Sequence, residues 1–242
     1  MTNGREKYIL KRNEVNANGF FGNRKQCKKA QDEISAGNAY GEAVTLVAAT
    51  KTQSAEAINA AIRAGVDAVA ENKVQEFREK FEAVHGCPQH FIGHLQTNKV
   101  KYLVGKITLF HSCDRDELAE EIARLSLKRN VVSQILVQVN IGREETKGGY
   151  APENAFEAYR KLKETAGLKV RGFMAMLPDS DDEKLLGALA DEMRSLYERA
   201  KADDPEIACL SLGMSGDYKL CIEHGSNMIR VGSTIFGARK YM

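Results

Sequence analysis

Short apolar runs rich in β-branched residues take turns with amphipathic stretches along this chain from residue 44 onward. Such alternation points to strands buried on both faces, each followed by a helix that carries the chain back for the next parallel strand. Strands are expected at residues 44–50, 66–70, 90–93, 107–111, 132–139, 169–176, 208–212 and 228–231. Helices are expected between them, at 54–64, 74–84, 97–104, 114–128, 152–165, 182–201 and 218–223. Gly65 stops the first of these helices, Asp114 reads as an N-cap and Pro152 suits a first helical turn. Eight strand–helix units within 242 residues predict an α/β fold, a (β/α)8 TIM barrel forming a single domain. The competitor is a doubly wound open sheet, which has fewer strands and a glycine-rich first turn. The first turn here reads Ala-Thr-Lys-Thr-Gln, without a glycine. Residues 1–40 are basic, helix-prone in places and broken at Asn18-Gly19, so they are expected to form an N-terminal helical arm that covers a barrel of residues 41–242.

The composition narrows the classes of function. Lys and Arg number 35 against 33 Asp and Glu, and a net charge of +2 gives no reason to expect a nucleic-acid partner. No apolar run approaches the length of a membrane span, and the N-terminus lacks the apolar core of a secretory signal. The five cysteines are scattered and odd in number, without a C-x-x-C. They read as reduced thiols of a cytoplasmic protein.

In a barrel, functional groups gather where strands end. Lys51 follows the first apolar run, where a desolvated amine would have the free lone pair needed to attack a carbonyl, although many strands simply end in lysine. Gly213-Met214-Ser215-Gly216 follows the seventh strand and Gly232-Ser233-Thr234 the eighth. Each is either an ordinary Gly/Ser turn or a cradle of N–H groups for a phosphate, and barrels often build a phosphate site from these two loops. Arg230 alternates with Ile229 and Val231, so it points into the barrel and needs an acceptor. That acceptor is a carboxylate such as Glu71 or a ring nitrogen of a ligand. His90 and His94 stand four apart, but on extended chain they lie about 13 Å from each other, too far to share a metal ion. Lys99 and Lys101 read as a solvated helix face, with a partner surface as the other option.

A carbonyl-reactive lysine, two late phosphate loops and an inward arginine point together to pyridoxal phosphate. The chain resembles the pyridoxal-phosphate-binding homeostasis family, single-domain proteins similar to the barrel of alanine racemase. The resemblance runs from about Val44 to Arg239. It rests on Ala49-Thr50-Lys51-Thr52, Glu71-Asn72-Lys73-Val74-Gln75-Glu76, His90-Phe91-Ile92-Gly93-His94-Leu95-Gln96-Thr97-Asn98-Lys99 and Val139-Asn140 with Lys147-Gly148-Gly149. It continues through Gly172-Phe173-Met174-Ala175-Met176, Leu212-Gly213-Met214-Ser215 and Arg230-Val231-Gly232-Ser233-Thr234-Ile235-Phe236-Gly237. It implies a Schiff base on Lys51, Asn72 near the cofactor ring, Ser215, Gly232 and Ser233 on the phosphate, and Arg230 at the pyridine nitrogen. Ala70 where the family usually has glycine, and Ser211-Leu212 for the usual Ser-Met, are its departures.

Alanine racemase relatives take a second acid/base, a tyrosine, from a separate C-terminal β-domain. This chain ends at Met242, soon after the eighth strand, so that domain is expected to be missing. A general acid–base group contributes about 10²–10⁴-fold. An arginine at the ring nitrogen also weakens the ring as an electron sink. The expectation is therefore a monomeric, non-catalytic carrier or buffer of pyridoxal 5'-phosphate that makes transient contact with apoenzymes. The alternatives are a pyridoxal-phosphate-dependent racemase or related enzyme, with a base such as His94, and a cofactor-free Schiff-base aldolase.

Overall fold

The computed structural model describes residues 25–237. Its eight strands are β1 Thr45–Ala49, β2 Ala68–Glu71, β3 Gln89–Phe91, β4 Leu109–Cys113, β5 Ser133–Val139, β6 Leu168–Ala175, β7 Cys209–Ser211 and β8 Met228–Val231. Each pairs in parallel with the next, and β8 returns to β1 to close a barrel. Helix α1 is described over residues 25–34. After it come α2 Ala55–Arg63, α3 Val74–Lys80, α4 Asp116–Lys128, α5 Ala155–Lys163, α6 Glu183–Asp203, α7 Tyr218–Glu223 and α8 Ser233–Phe236. The expected (β/α)8 barrel is the fold.

Alternation along each strand sorts side chains between the barrel interior and the helix layer. Val47, Ala68, Ala70, Leu109, Leu136, Met174 and Met228 pack together inside. Leu46, Ala48, Ile229 and Val231 face outward, where Cys27, Ala30 and Ile34 of α1 and Ile58 and Ala61 of α2 cover them. The described part of the expected arm therefore buries apolar surface on the β1–β8 side. Residues 1–24, with Asn18-Gly19, and Arg239 at the far end of the resemblance lie outside the described residues.

Local signals place most boundaries. The Ser54 hydroxyl accepts from the Ala57 N–H to cap α2, a contact of a kind worth about 1 kcal/mol. Gly65, at φ +100°, ends that helix in a conformation that suits glycine. Asp182 caps α6 by accepting from the N–H groups of Lys184 and Leu185. Three expectations need correction. Residues 97–102 form a 3-10 helix, Thr97–Tyr102, in place of an α-helix, and its N-cap position, Gln96, supplies no side-chain hydrogen bond. Asp114 does not cap α4: Arg115 holds the N-cap position, and the Asp114 carboxylate is engaged by His94 and Arg115. The first strand stops at Ala49, so Lys51 stands in the turn beyond it, followed by Thr52 at φ +66°.

Glu42, in the link between α1 and β1, ties this corner of the barrel to α6. It accepts from Arg194 at 2.6 Å, Lys201 at 2.7 Å and Asn38 at 2.9 Å. Burial would raise its pKa, but these donors outweigh burial and hold it at about 2. A depressed carboxyl pKa contributes stability that is complete above the ordinary value of 4.5 and is lost as pH falls toward 2. Glu42→Gln is expected to lower stability at pH 7 by about 2 kcal/mol, the scale of hydrogen bonds to a charged group. It is also expected to flatten the loss of stability between pH 4.5 and 2. Thermal denaturation across pH checks both, and an unchanged acid limb counts against this assignment.

Candidate functional site

A cavity of about 480 Å³ opens at the carboxyl ends of the strands, a size suited to a small cofactor. Its lining brings together all six residues singled out from the sequence: Lys51, Asn72, Ser215, Arg230, Gly232 and Ser233. They come from the ends of β1, β2, β7 and β8. Register explains the meeting, because Val47 pairs with Arg230 and Ala49 with Ala70. Lys51 and Asn72 lie two residues beyond Ala49 and Ala70, in the turns at the mouth of the barrel. Lys51 is half-buried there.

The two late loops interlock. The Ser215 hydroxyl accepts from the Gly232 N–H at 3.1 Å and from the Thr234 N–H at 3.4 Å. Arg230 N–H donates to the Gly213 carbonyl at 3.0 Å and fixes the loop after β7 to the edge of β8. Gly232 lies against the end of β1, where an added Cβ would come 3.3 Å from the Ala49 carbonyl oxygen. The Ser215 oxygen thus takes the backbone N–H groups at the start of α8, the place an oxyanion would take if this hydroxyl turned away.

Arg230 is 4% exposed and, among the described residues, makes no salt bridge to a carboxylate. Its Nη1 donates to the Ser211 carbonyl at 2.7 Å and the Ser211 hydroxyl at 2.5 Å, and its Nη2 donates to the Ala175 carbonyl at 2.9 Å. Glu71, the carboxylate considered from the sequence, faces the helix layer and pairs with Lys80 at 2.9 Å and Thr50 at 2.7 Å. Strand alternation places Glu71 and Arg230 on opposite sides of the sheet, which rules out the ion pair. Burial pushes the guanidinium pKa down to about 10, so it is still charged at neutral pH. Asn72 contributes a buried Oδ1 without a donor. A guanidinium held only by neutral acceptors, beside an asparagine oxygen without a donor, makes this wall polar and suited to a polar ligand.

His94 stands at the rim, its side chain 68% exposed, with Nδ1 3.0 Å from Asp114 Oδ2. His90 lies inside the barrel, so the two histidines part as expected, and no cluster suited to a metal ion occurs among the described residues. Sequence reasoning missed Ser211, which supplies two of the acceptors of Arg230, and placed Met174, Met176 and Met214 at the strand ends without giving these cavity-lining residues a role. The signal for Ser211 was its inward phase on β7, beside the strand that carries Arg230.

Barrel, cavity and cationic wall define a cofactor-binding (β/α)8 protein. The family model for the alanine racemase N-terminal domain matches residues 34–240. The pyridoxal phosphate homeostasis protein of Aquifex aeolicus is 41% identical over 199 residues, covering 81% of this chain and 87% of that one. PipY of Synechococcus elongatus, solved without pyridoxal phosphate, is 29% identical, with a TM-score of 0.74 over 80% of this chain and 93% of that one. The PipY structure with pyridoxal phosphate bound is 28% identical, with a TM-score of 0.72 over 80% and 92%. This chain belongs to the alanine racemase N-terminal-domain family and, within it, to the pyridoxal phosphate homeostasis proteins.

Proposed function

We propose that this protein binds pyridoxal 5'-phosphate and buffers or carries it, holding it covalently through Lys51. The observation that carries this reading is the meeting of the Lys51 amine and the buried Arg230 guanidinium in one cavity walled by the Ser215–Gly232 turn. The donor set fits the group. Lys51 offers the amine for an aldehyde. Ser215, Gly232 and Ser233 offer hydroxyl and backbone donors for a phosphate. Arg230 offers N–H groups to an acceptor nitrogen, and the Asn72 carbonyl oxygen offers an acceptor to a ring hydroxyl. When bound, pyridoxal phosphate supplies a conjugated ring that can withdraw electrons from an amine joined to its aldehyde carbon.

The same walls favour storage over turnover. Arg230 holds its proton and presents only donors, which keeps the ring nitrogen unprotonated and the ring a weak electron sink. Besides Lys51 and Arg230, the one titratable side chain lining the cavity among the described residues is His94, largely exposed and bonded to Asp114. The relatives' name, pyridoxal phosphate homeostasis protein, agrees with a carrier. Among the described residues no helix is long and apolar enough to cross a membrane. We infer a cytoplasmic monomer that meets apoenzymes transiently. A second reading, an amino-acid racemase or related enzyme, is favoured by one contact, the 3.0 Å His94–Asp114 pair at the rim.

Purified protein titrated with pyridoxal phosphate is expected to gain an absorbance band near the visible edge, and borohydride followed by peptide mapping to mark Lys51. The loaded protein is expected to activate an added apoenzyme while leaving alanine unracemised. Absence of the band overturns the binding reading. Robust amino-acid turnover that Lys51→Ala abolishes overturns the carrier reading in favour of the enzyme.

A further inference from the structure

The middle of this barrel is polar where barrels are usually filled with branched aliphatic side chains. His90, His111, Ser211 and Arg230 are all 6% exposed or less, and they form one continuous chain across the interior. Arg230 Nη1 lies 2.5 Å from Ser211 Oγ. Ser211 Oγ lies 3.2 Å from His111 Nδ1, and His111 Nε2 lies 3.0 Å from His90 Nδ1. The two imidazole rings are tilted by 43° with centroids 5.1 Å apart. Buried polar groups at such cost are kept where they hold something in place.

We propose that Ser211 and His111 are positioning residues, which lock the Arg230 guanidinium through a one-directional hydrogen-bond chain so that it presents only N–H donors to the ring nitrogen of the ligand. This rests on the pyridoxal phosphate reading. Donor accounting sets the direction. A guanidinium nitrogen can only donate, so Ser211 Oγ accepts from Arg230. Among the described residues His111 Nδ1 is the acceptor within reach of the Ser211 hydroxyl proton, so the chain that leaves no hydroxyl proton unused has His111 Nδ1 accepting. His111 therefore carries its proton on Nε2 and donates to His90 Nδ1, and His90 carries its proton on Nε2. Both rings must be neutral for this order. Burial, with His90 and Arg230 adding their repulsion, holds His111 well below the usual histidine range, and burial alone brings His90 to about 4.

The anchors leave the arginine little freedom. Three of its five N–H groups are spent on the Ser211 carbonyl, the Ser211 hydroxyl and the Ala175 carbonyl. Removing the Ser211 hydroxyl deletes one of these and unties the remaining pair from His111. The guanidinium plane can then swing, and the ring nitrogen loses a fixed donor.

Two measurements test the chain separately from the function. In the ligand-free protein, long-range nitrogen–proton NMR of the histidines is expected to show His111 and His90 both neutral with the proton on Nε2. A proton on His111 Nδ1 overturns the direction of the chain, whatever the protein binds. In the loaded protein, pyridoxal phosphate labelled with ¹⁵N in its ring is expected to give an unprotonated-pyridine shift in wild type and in Ser211→Thr, which keeps the hydroxyl. In Ser211→Ala the shift is expected to move toward pyridinium or to broaden, with affinity about tenfold weaker. A Ser211→Ala protein that matches wild type in ring shift and in affinity, within about twofold, overturns the positioning role. If wild type takes up no pyridoxal phosphate, the functional reading fails, and the tautomers still decide the chain.

Discussion

Lys51→Ala is expected to lose the near-visible band of the pyridoxal-phosphate-loaded protein and to weaken binding by at least ~100-fold, about 2.7 kcal/mol. Lys51→Arg is expected to give the same result, because a guanidinium keeps the charge but does not condense with an aldehyde. Residual binding of the Lys51 variants is expected to depend on phosphate, since the donors gathered by Ser215 are untouched. Lys80, a buried-side lysine near the β1–β2 ends, is the internal control. Its ammonium is held at 2.9 Å by both Glu71 and Glu76 on the helix side of the sheet. Spectral titration with borohydride mapping reads the outcome. A loaded Lys51→Ala protein with an unchanged spectrum, or label on Lys80, sinks the assignment.

Gly93→Ala is expected to be the most damaging single change near the site. Gly93 follows β3 and lines the cavity, and a Cβ there would sit 2.0 Å from the Asn72 carbonyl oxygen and 2.7 Å from its Cα. Both are main-chain atoms, so the clash cannot be relieved by rotating a side chain. The end of β2 must move, taking with it the buried Asn72 Oδ1. A loss of about 4 kcal/mol, or roughly 10 °C in Tm for a domain of this size, is expected together with weaker pyridoxal phosphate binding. Gly216→Ala, in the loop after β7 with open space where the methyl would go, is expected to leave stability within about 0.5 kcal/mol of wild type. Calorimetry of the two variants separates a local clash from general intolerance of substitution. A Gly93→Ala protein as stable as Gly216→Ala contradicts the packing described here.

Much of the site was legible because a barrel converts sequence phase into position. Once Lys51, Ser215 and Gly232 were placed after their strands, the fold left one rim for them to share. Arg230 could be aimed inward from its alternation with Ile229 and Val231, but its partners could not be chosen. They sit on β6 and β7, and the residue that matters most there, Ser211, looked like an ordinary core-strand serine. His111 gave still less signal, as a single histidine on a buried strand whose partners lie on other strands. Asp114 was misread because a helix-start residue and a long-range partner of His94 look alike until the loop after β3 folds over it.

The amino-acid order alone determined the eight-unit barrel, since hydrophobic period and capping chemistry act over a few residues and need no distant partner. It also determined which strand ends carry the amine, the donors and the guanidinium. Tertiary structure alone decided that Arg230 lies without a carboxylate in the cavity wall, with a hydrogen-bonded line of serine and histidines behind it. Those contacts join residues 19 to 100 positions apart, and their distances depend on barrel closure and strand register, which no local pattern encodes.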